Sequence, residues 1–151
     1  YKSLSKRFTG AFKSEFGTIN GYSGKYAPVD TMYSIGGNKL RGFKSGKLGP
    51  QLNTSYTGGN YYYVLTTETN FDLPIDEYDI SSSLFLDFGS VWGLDDRYGS
   101  IDDSHKLRSS FGLNLNWDSA IGPINFVFAE PYMSEPNDNT DKFSFDIGYN
   151  F

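Results

Sequence analysis

The sequence predicts an all-β protein, a transmembrane antiparallel β-barrel wall. Three observations carry that expectation. Apolar and polar residues alternate with a period of two over segments of roughly ten residues, the length that crosses a bilayer at a tilt. The connections alternate between short and long, as periplasmic turns and extracellular loops do in outer-membrane barrels. Aromatic residues, 18% of the chain, gather near segment ends at Trp92, Trp117, Tyr132, Tyr149 and Phe151, where a membrane girdle would sit.

The six strands are expected at about 7–19, 60–71, 79–92, 106–118, 123–132 and 142–151. In the first, Phe8, Phe12 and Phe16 oppose Thr9, Lys13 and Glu15, the weakest alternation of the set. In the second, Tyr61, Tyr63, Leu65 and Phe71 oppose Thr66, Glu68 and Asn70. In the third, Ile80, Leu84, Leu86 and Phe88 oppose Ser81, Ser83 and Asp87. In the fourth, Leu107, Phe111, Leu113, Leu115 and Trp117 oppose Arg108, Ser110, Gly112, Asn114 and Asn116. In the fifth, Ile124, Phe126, Phe128 and Tyr132 oppose Asn125. The last is the cleanest: Phe143, Phe145, Ile147, Tyr149 and Phe151 share one face, and Lys142, Ser144, Asp146, Gly148 and Asn150 the other. Residues 72–77 and 119–123 are the short turns. The loops at 23–58, 93–106 and 133–141 are long and rich in Gly, Asp, Asn and Ser.

A soluble β-sandwich also alternates. Strand length and the terminal aromatics favour the barrel, and a mean hydropathy of −0.46 does not oppose it, because alternating strands average out. Six strands are too few to close a membrane barrel, and open edges in lipid are very costly. The 151 residues are therefore expected to be either the C-terminal part of one larger barrel domain, the preferred reading, or one copy in an assembly of several chains.

Composition excludes several functions. The formal net charge of −5 argues against nucleic-acid binding. With no Cys and one His, thiolate catalysis, disulfides and most zinc sites are ruled out. His105 lies in a polar loop with no nucleophile motif beside it, so catalysis is not expected. Asp95-Asp96, Asp102-Asp103 and the Asn137–Asp141 run lack the Gly and closing Glu of an EF-hand loop and read as solvated loop charges. Gly42–Lys47 is one residue short of a phosphate-binding P-loop and is followed by Leu48 rather than Ser or Thr. No cofactor or metal is expected.

The most specific segment is Gly36-Gly37-Asn38-Lys39-Leu40-Arg41-Gly42-Phe43, an Arg and a Phe pinned between glycines inside the long loop. It resembles the conserved loop of the BamA family of outer-membrane-protein assembly factors and its relatives. Leu84–Trp92, Leu107–Gly112 with Trp117, Gly122-Pro123-Ile124, Ala129–Tyr132 and Phe145–Phe151 resemble that family's later strands, in the same order. A Leu at position 40, where the family usually has Val, is a mild departure.

The resemblance implies a barrel of about sixteen strands, of which this chain supplies the last six, with the 23–58 loop folded into the lumen. It implies that Arg41 meets inner-wall acids, and the alternation independently places Glu68 and Asp87 on that face. It also implies a lateral seam at the last strand, through Phe145, Ile147, Gly148, Tyr149 and Phe151, where a client strand could add to the open edge. Gly148 would weaken the strand there, and the terminal aromatics would double as a C-terminal assembly signal. The expected function is the folding and insertion of β-barrel proteins by lateral opening and strand templating, without enzymatic chemistry. The expected partners are outer-membrane lipids, unfolded outer-membrane clients and accessory lipoproteins. The expected place is the bacterial outer membrane, with the C-terminus on the periplasmic side. The alternatives are a related secretion or autotransporter-assembly pore, or a passive outer-membrane pore.

Overall fold

A computed structural model describes residues 2–5, 8–23, 25–73, 80–94, 101–119 and 122–148. The strands are β1 (Lys2–Ser5), β2 (Phe8–Thr18), β3 (Gln51–Leu52), β4 (Ser55–Tyr56), β5 (Tyr61–Asp72), β6 (Ile80–Trp92), β7 (Arg108–Ser119), β8 (Gly122–Met133) and β9 (Phe143–Ile147). Seven of them form one sheet in the order β1-β2-β5-β6-β7-β8-β9, every pair antiparallel. This is a meander, the topology of an up-and-down barrel wall.

Register follows from the alternation. Leu84, Leu113, Phe128 and Phe143 pair in one continuous row across four strands. Leu115, Phe126 and Phe145 form the next row, and Trp117, Ile124 and Ile147 the one below. A one-residue slip would turn every one of these side chains to the other face, so the apolar pattern fixes the pairing. Apart from Ile124, which its row neighbours bury, this face is largely uncovered: Phe16 is 81% exposed and Phe12 67%. A sheet with a continuous bare apolar face is one built to meet lipid.

The opposite face carries the molecule's own core. The chain between β2 and β5 lies on it, not as one irregular loop over 23–58 but with a 3-10 turn at Val29–Thr31 and the small hairpin β3–β4. Its Ile35, Leu40, Phe43 and Leu48 pack on Tyr62, Val64 and Val91 of β5 and β6. The inner wall is therefore apolar near the long loops and polar further down, rather than polar throughout.

Strand ends differ from the expected ones by one or two residues. Two differences are larger. A short strand, β1, precedes the expected set. The last strand ends at Ile147, and Gly148 follows it while still donating its amide to the Pro123 carbonyl at 2.9 Å. Tyr149 and Phe151, Asp95-Asp96, and most of the two expected short turns lie outside the described residues.

Candidate functional site

The long loop is pinned to the inner wall by its own backbone first. Gly36, Gly37 and Gly42 have φ of 107°, 60° and 88°, a region that side chains with a Cβ rarely enter. The Gly37 amide donates to the Phe43 carbonyl at 2.7 Å, closing a tight turn that presents Arg41 at its tip. At Gly42 a Cβ would lie 3.2 Å from the Ser110 Cβ and 3.3 Å from the Ala129 Cβ, so glycine lets the turn lie flat on β7 and β8. Leu40 packs over Gly89, whose missing side chain makes its seat, and is fully buried.

Arg41 then reaches two strands at once. Its Nε and Nη2 donate to Asp87 Oδ2 and Oδ1, each at 2.8 Å, a bidentate fork. Its Nη1 donates to Glu68 Oε2 at 3.2 Å, and its backbone amide to Asp87 Oδ2 at 3.3 Å. Ladder register produces this geometry: Glu68 pairs with Phe85 and Thr66 with Asp87, which sets the two acids diagonally across β5 and β6. Phe85 lies between them, its ring centroid 3.6 Å below the Arg41 Cζ. Gly112, opposite Phe85, leaves room for that ring, since a Cβ there would fall 2.7 Å from the Phe85 Cζ. The Ser83 hydroxyl donates to Glu68, and the Ser110 hydroxyl to the Arg41 carbonyl.

Burial makes this pair consequential. The Asp87 side chain is 1% exposed and that of Arg41 11%. A buried charge must be paired and hydrogen-bonded, and here three guanidinium bonds and one from the loop amide do so. The fork can position a loop; it has no nucleophile, base or open metal position. Among the described residues no group of three acidic or His side chains is placed to hold a metal.

Two further anchors were not read from the sequence. Lys39 donates to Glu15 of β2 at 2.5 Å, and Tyr62 donates to the same carboxylate at 2.7 Å. The second is a buried fork at the far side: Arg108 Nε and Nη2 meet Asp138 Oδ2 and Oδ1 at 2.9 and 3.0 Å. This corrects the reading of Asn137–Asp141 as solvated charges, because the Asp138 side chain is 1% exposed. The signal available was Arg108 on the inward-facing register of its strand; nothing local identified its partner 30 residues away. His105 is exposed, but it is not a bare loop residue. It stacks on Tyr63 and meets Trp92 edge-on, at 5.8 and 4.9 Å between ring centroids.

Of the expected seam residues, Phe145 is on the bare outer face, Ile147 is half-buried at the end of β9, and Gly148 follows that strand. They are not brought near Arg41.

The Omp85 superfamily domain matches residues 1–151, the whole chain. The chain belongs to the Omp85 superfamily. It is 33% identical over 177 residues to the outer membrane protein assembly factor BamA of Neisseria meningitidis serogroup B (strain ATCC BAA-335 / MC58), covering 98% of this chain and 22% of that protein. It is 31% identical over 135 residues to the BamA of Neorickettsia risticii (strain Illinois), covering 87% of this chain and 18% of that one. The structure of BamA from Haemophilus ducreyi lacking POTRA domains 1–3 superposes with a TM-score of 0.85 at 27% identity, over 94% of this chain and 32% of that one. This Omp85 chain thus spans about a fifth of the length of the curated relatives it matches, 22% and 18%. Its sheet is a section of a transmembrane β-barrel wall, with the Arg41 loop on the lumen side.

Proposed function

We propose that this Omp85 chain forms the C-terminal part of an outer-membrane protein assembly factor, which folds and inserts β-barrel clients by lateral opening and strand templating. The observation that carries the reading is the Arg41 loop seated on the inner wall of a sheet whose last strand is weakly held. The β8–β9 ladder has five register pairs, against eleven in β7–β8. At about 0.5–1.5 kcal/mol net for each hydrogen bond, the described β8–β9 ladder costs less to open than the β7–β8 ladder beside it.

An opened edge presents unpaired N–H and C=O groups to which an extended client strand can add. Phe145, Ile147 and Gly148 lie along that edge; Tyr149 and Phe151 would extend it and supply a C-terminal assembly signal. Glu68 and Asp87 anchor the Arg41 loop, and the glycines at 36, 37 and 42 with Phe43 shape it. The partners of this reading are outer-membrane lipid, unfolded outer-membrane clients and accessory lipoproteins. With three long connections at one end of the sheet, β9 runs toward the other, the periplasmic end in this reading. The work is positional, and no enzymatic step is assigned.

The test is photo-crosslinking in the full-length protein, with the reactive group placed singly at positions 143 to 147 while a client is arrested during insertion. Crosslinks to the client's last strand from these positions, and none from position 84 in mid-wall, are expected. Crosslinks confined to inner-wall positions 70, 83 and 114 would overturn strand templating at this edge.

A further inference from the structure

The nine residues joining β8 to β9, 134–142, are bonded to the lumen loop more fully than a surface connection requires. Phe43 and Thr140 form an antiparallel bridge. Around it the Lys44 amide donates to the Asn139 carbonyl, the Asn139 amide to the Lys47 carbonyl and the Asp141 amide to the Gly42 carbonyl, each at 2.9 Å. The Tyr56 hydroxyl of the β3–β4 hairpin donates to the Asn137 carbonyl at 2.5 Å. Lys142 comes next, and its carbonyl accepts the Ala129 amide at 2.9 Å, the first bond of the β8–β9 ladder. An unbroken run of backbone bonds therefore links the residue beside Arg41 to the start of the terminal strand.

The Arg108–Asp138 fork closes this arrangement from the wall side. Asp138 also accepts the Glu135 amide at 2.8 Å, which folds its own loop around the carboxylate, and Arg108 Nη1 donates to the Lys106 carbonyl at 2.9 Å. Both side chains are buried, at 4% and 1% exposure. A desolvated fork of this kind is either made or broken, because an intermediate would strand two charges without water.

We infer that the Arg108–Asp138 fork is a latch that couples the seating of the lumen loop to how firmly the terminal strand β9 is held. Arg108 and Asp138 are positioning residues acting through loop 134–142. With the latch closed, that loop has little freedom, and β9 starts its ladder from a fixed point. With it open, the loop regains its chain entropy and β9 is held by its five pairs alone. The coupling itself stands on the contacts; its consequence for client insertion rests on the assembly reading above.

Hydrogen exchange in the full-length protein, in lipid nanodiscs, tests it. Asp138→Asn and Arg108→Lys should each speed exchange of the 143–147 amides at least tenfold, with 61–72 unchanged. Glu135→Gln, which removes only a half-buried partner of Lys106 at 3.4 Å and keeps the amide at 135, should leave 143–147 as in the parent protein. A second variant guards against simple misfolding. A disulfide between positions 44 and 139 (Lys44→Cys with Asn139→Cys) in the Asp138→Asn background should restore slow exchange at 143–147, and reduction should abolish the rescue. If Asp138→Asn frees 134–141 while 143–147 exchanges as before, or the disulfide gives no rescue, the latch is overturned. Client insertion measured on the same variants separates the two ideas: coupled exchange with unchanged insertion would contradict the assembly reading and leave the latch standing.

Discussion

Arg41 needs partners of defined shape, and its pair of wall acids accounts for why the loop sits where it does. Arg matches a carboxylate with two parallel bonds, and Lys cannot reproduce that fork. Removing one member of a buried pair leaves the other uncompensated, so Arg41→Ala should destabilise the folded barrel by ~3–5 kcal/mol. A double-mutant cycle of Arg41→Ala and Asp87→Ala, read by denaturant unfolding of the full-length protein in detergent, should give a coupling of about 1–3 kcal/mol. A coupling near zero would mean the fork does not fix the loop. The inward placement of Glu68 and Asp87 could be read from alternation alone: Asp87 lies between outward Leu86 and Phe88, and Glu68 holds the register opposite Tyr61, Tyr63, Leu65 and Phe71 of its strand. Their convergence on one Arg could not: it depends on the diagonal offset between β5 and β6, which is set by register across a connection whose length says nothing about pairing. Phe85 escaped the reading for a related reason. It is an apolar residue between two others, Leu84 and Leu86, so its strand shows no change of polarity at that position to mark which way it points.

The long strands were predicted because a period of two over ten residues is hard to produce any other way. The loop was harder. β3 and β4 are two residues each, too short for any period, and they form because Tyr56 and Gln51 find the Asn137 carbonyl, at 2.5 and 3.3 Å. The apolar patch of the upper inner wall leaves no mark in the pattern, because Tyr62, Val64 and Val91 lie on strands whose other face is apolar too, and a strand apolar on both faces loses its alternation. The 93–107 connection carries a different kind of order. Lys106, hydrogen-bonded at 2.7 Å, and then the Ser104 hydroxyl and amide hold the Asp102 carboxyl well below the usual carboxylate range. A group with a depressed folded value contributes its stabilisation above the unfolded value and loses it as pH falls through the folded one. NMR titration of the Asp102 carboxyl carbon should therefore find a midpoint below that of an ordinary Asp, and Lys106→Ala should move it back up. An ordinary midpoint in the parent protein would remove this ordering of the loop.

Across the molecule, one sheet meets two solvents. Its outer face, largely bare and apolar, is matched to lipid; its inner face is covered by a loop two of whose cations, Lys39 and Arg41, are answered by acids of the wall. Three anchors, at Glu15, at Glu68 with Asp87, and at the Arg108–Asp138 fork, spread that cover over β2, β5, β6 and β7 and on to the approach to β9. The central claim is that the seated loop is what lets the wall work on clients while staying folded. The most direct test is the rate at which the full-length protein with Arg41→Ala, reconstituted in vesicles, inserts an unfolded barrel client. Insertion is expected to fall about tenfold or more, the rate equivalent of roughly 1.4 kcal/mol, while the variant's own strands remain assembled. Insertion at the parent rate by a folded Arg41→Ala protein would contradict the account.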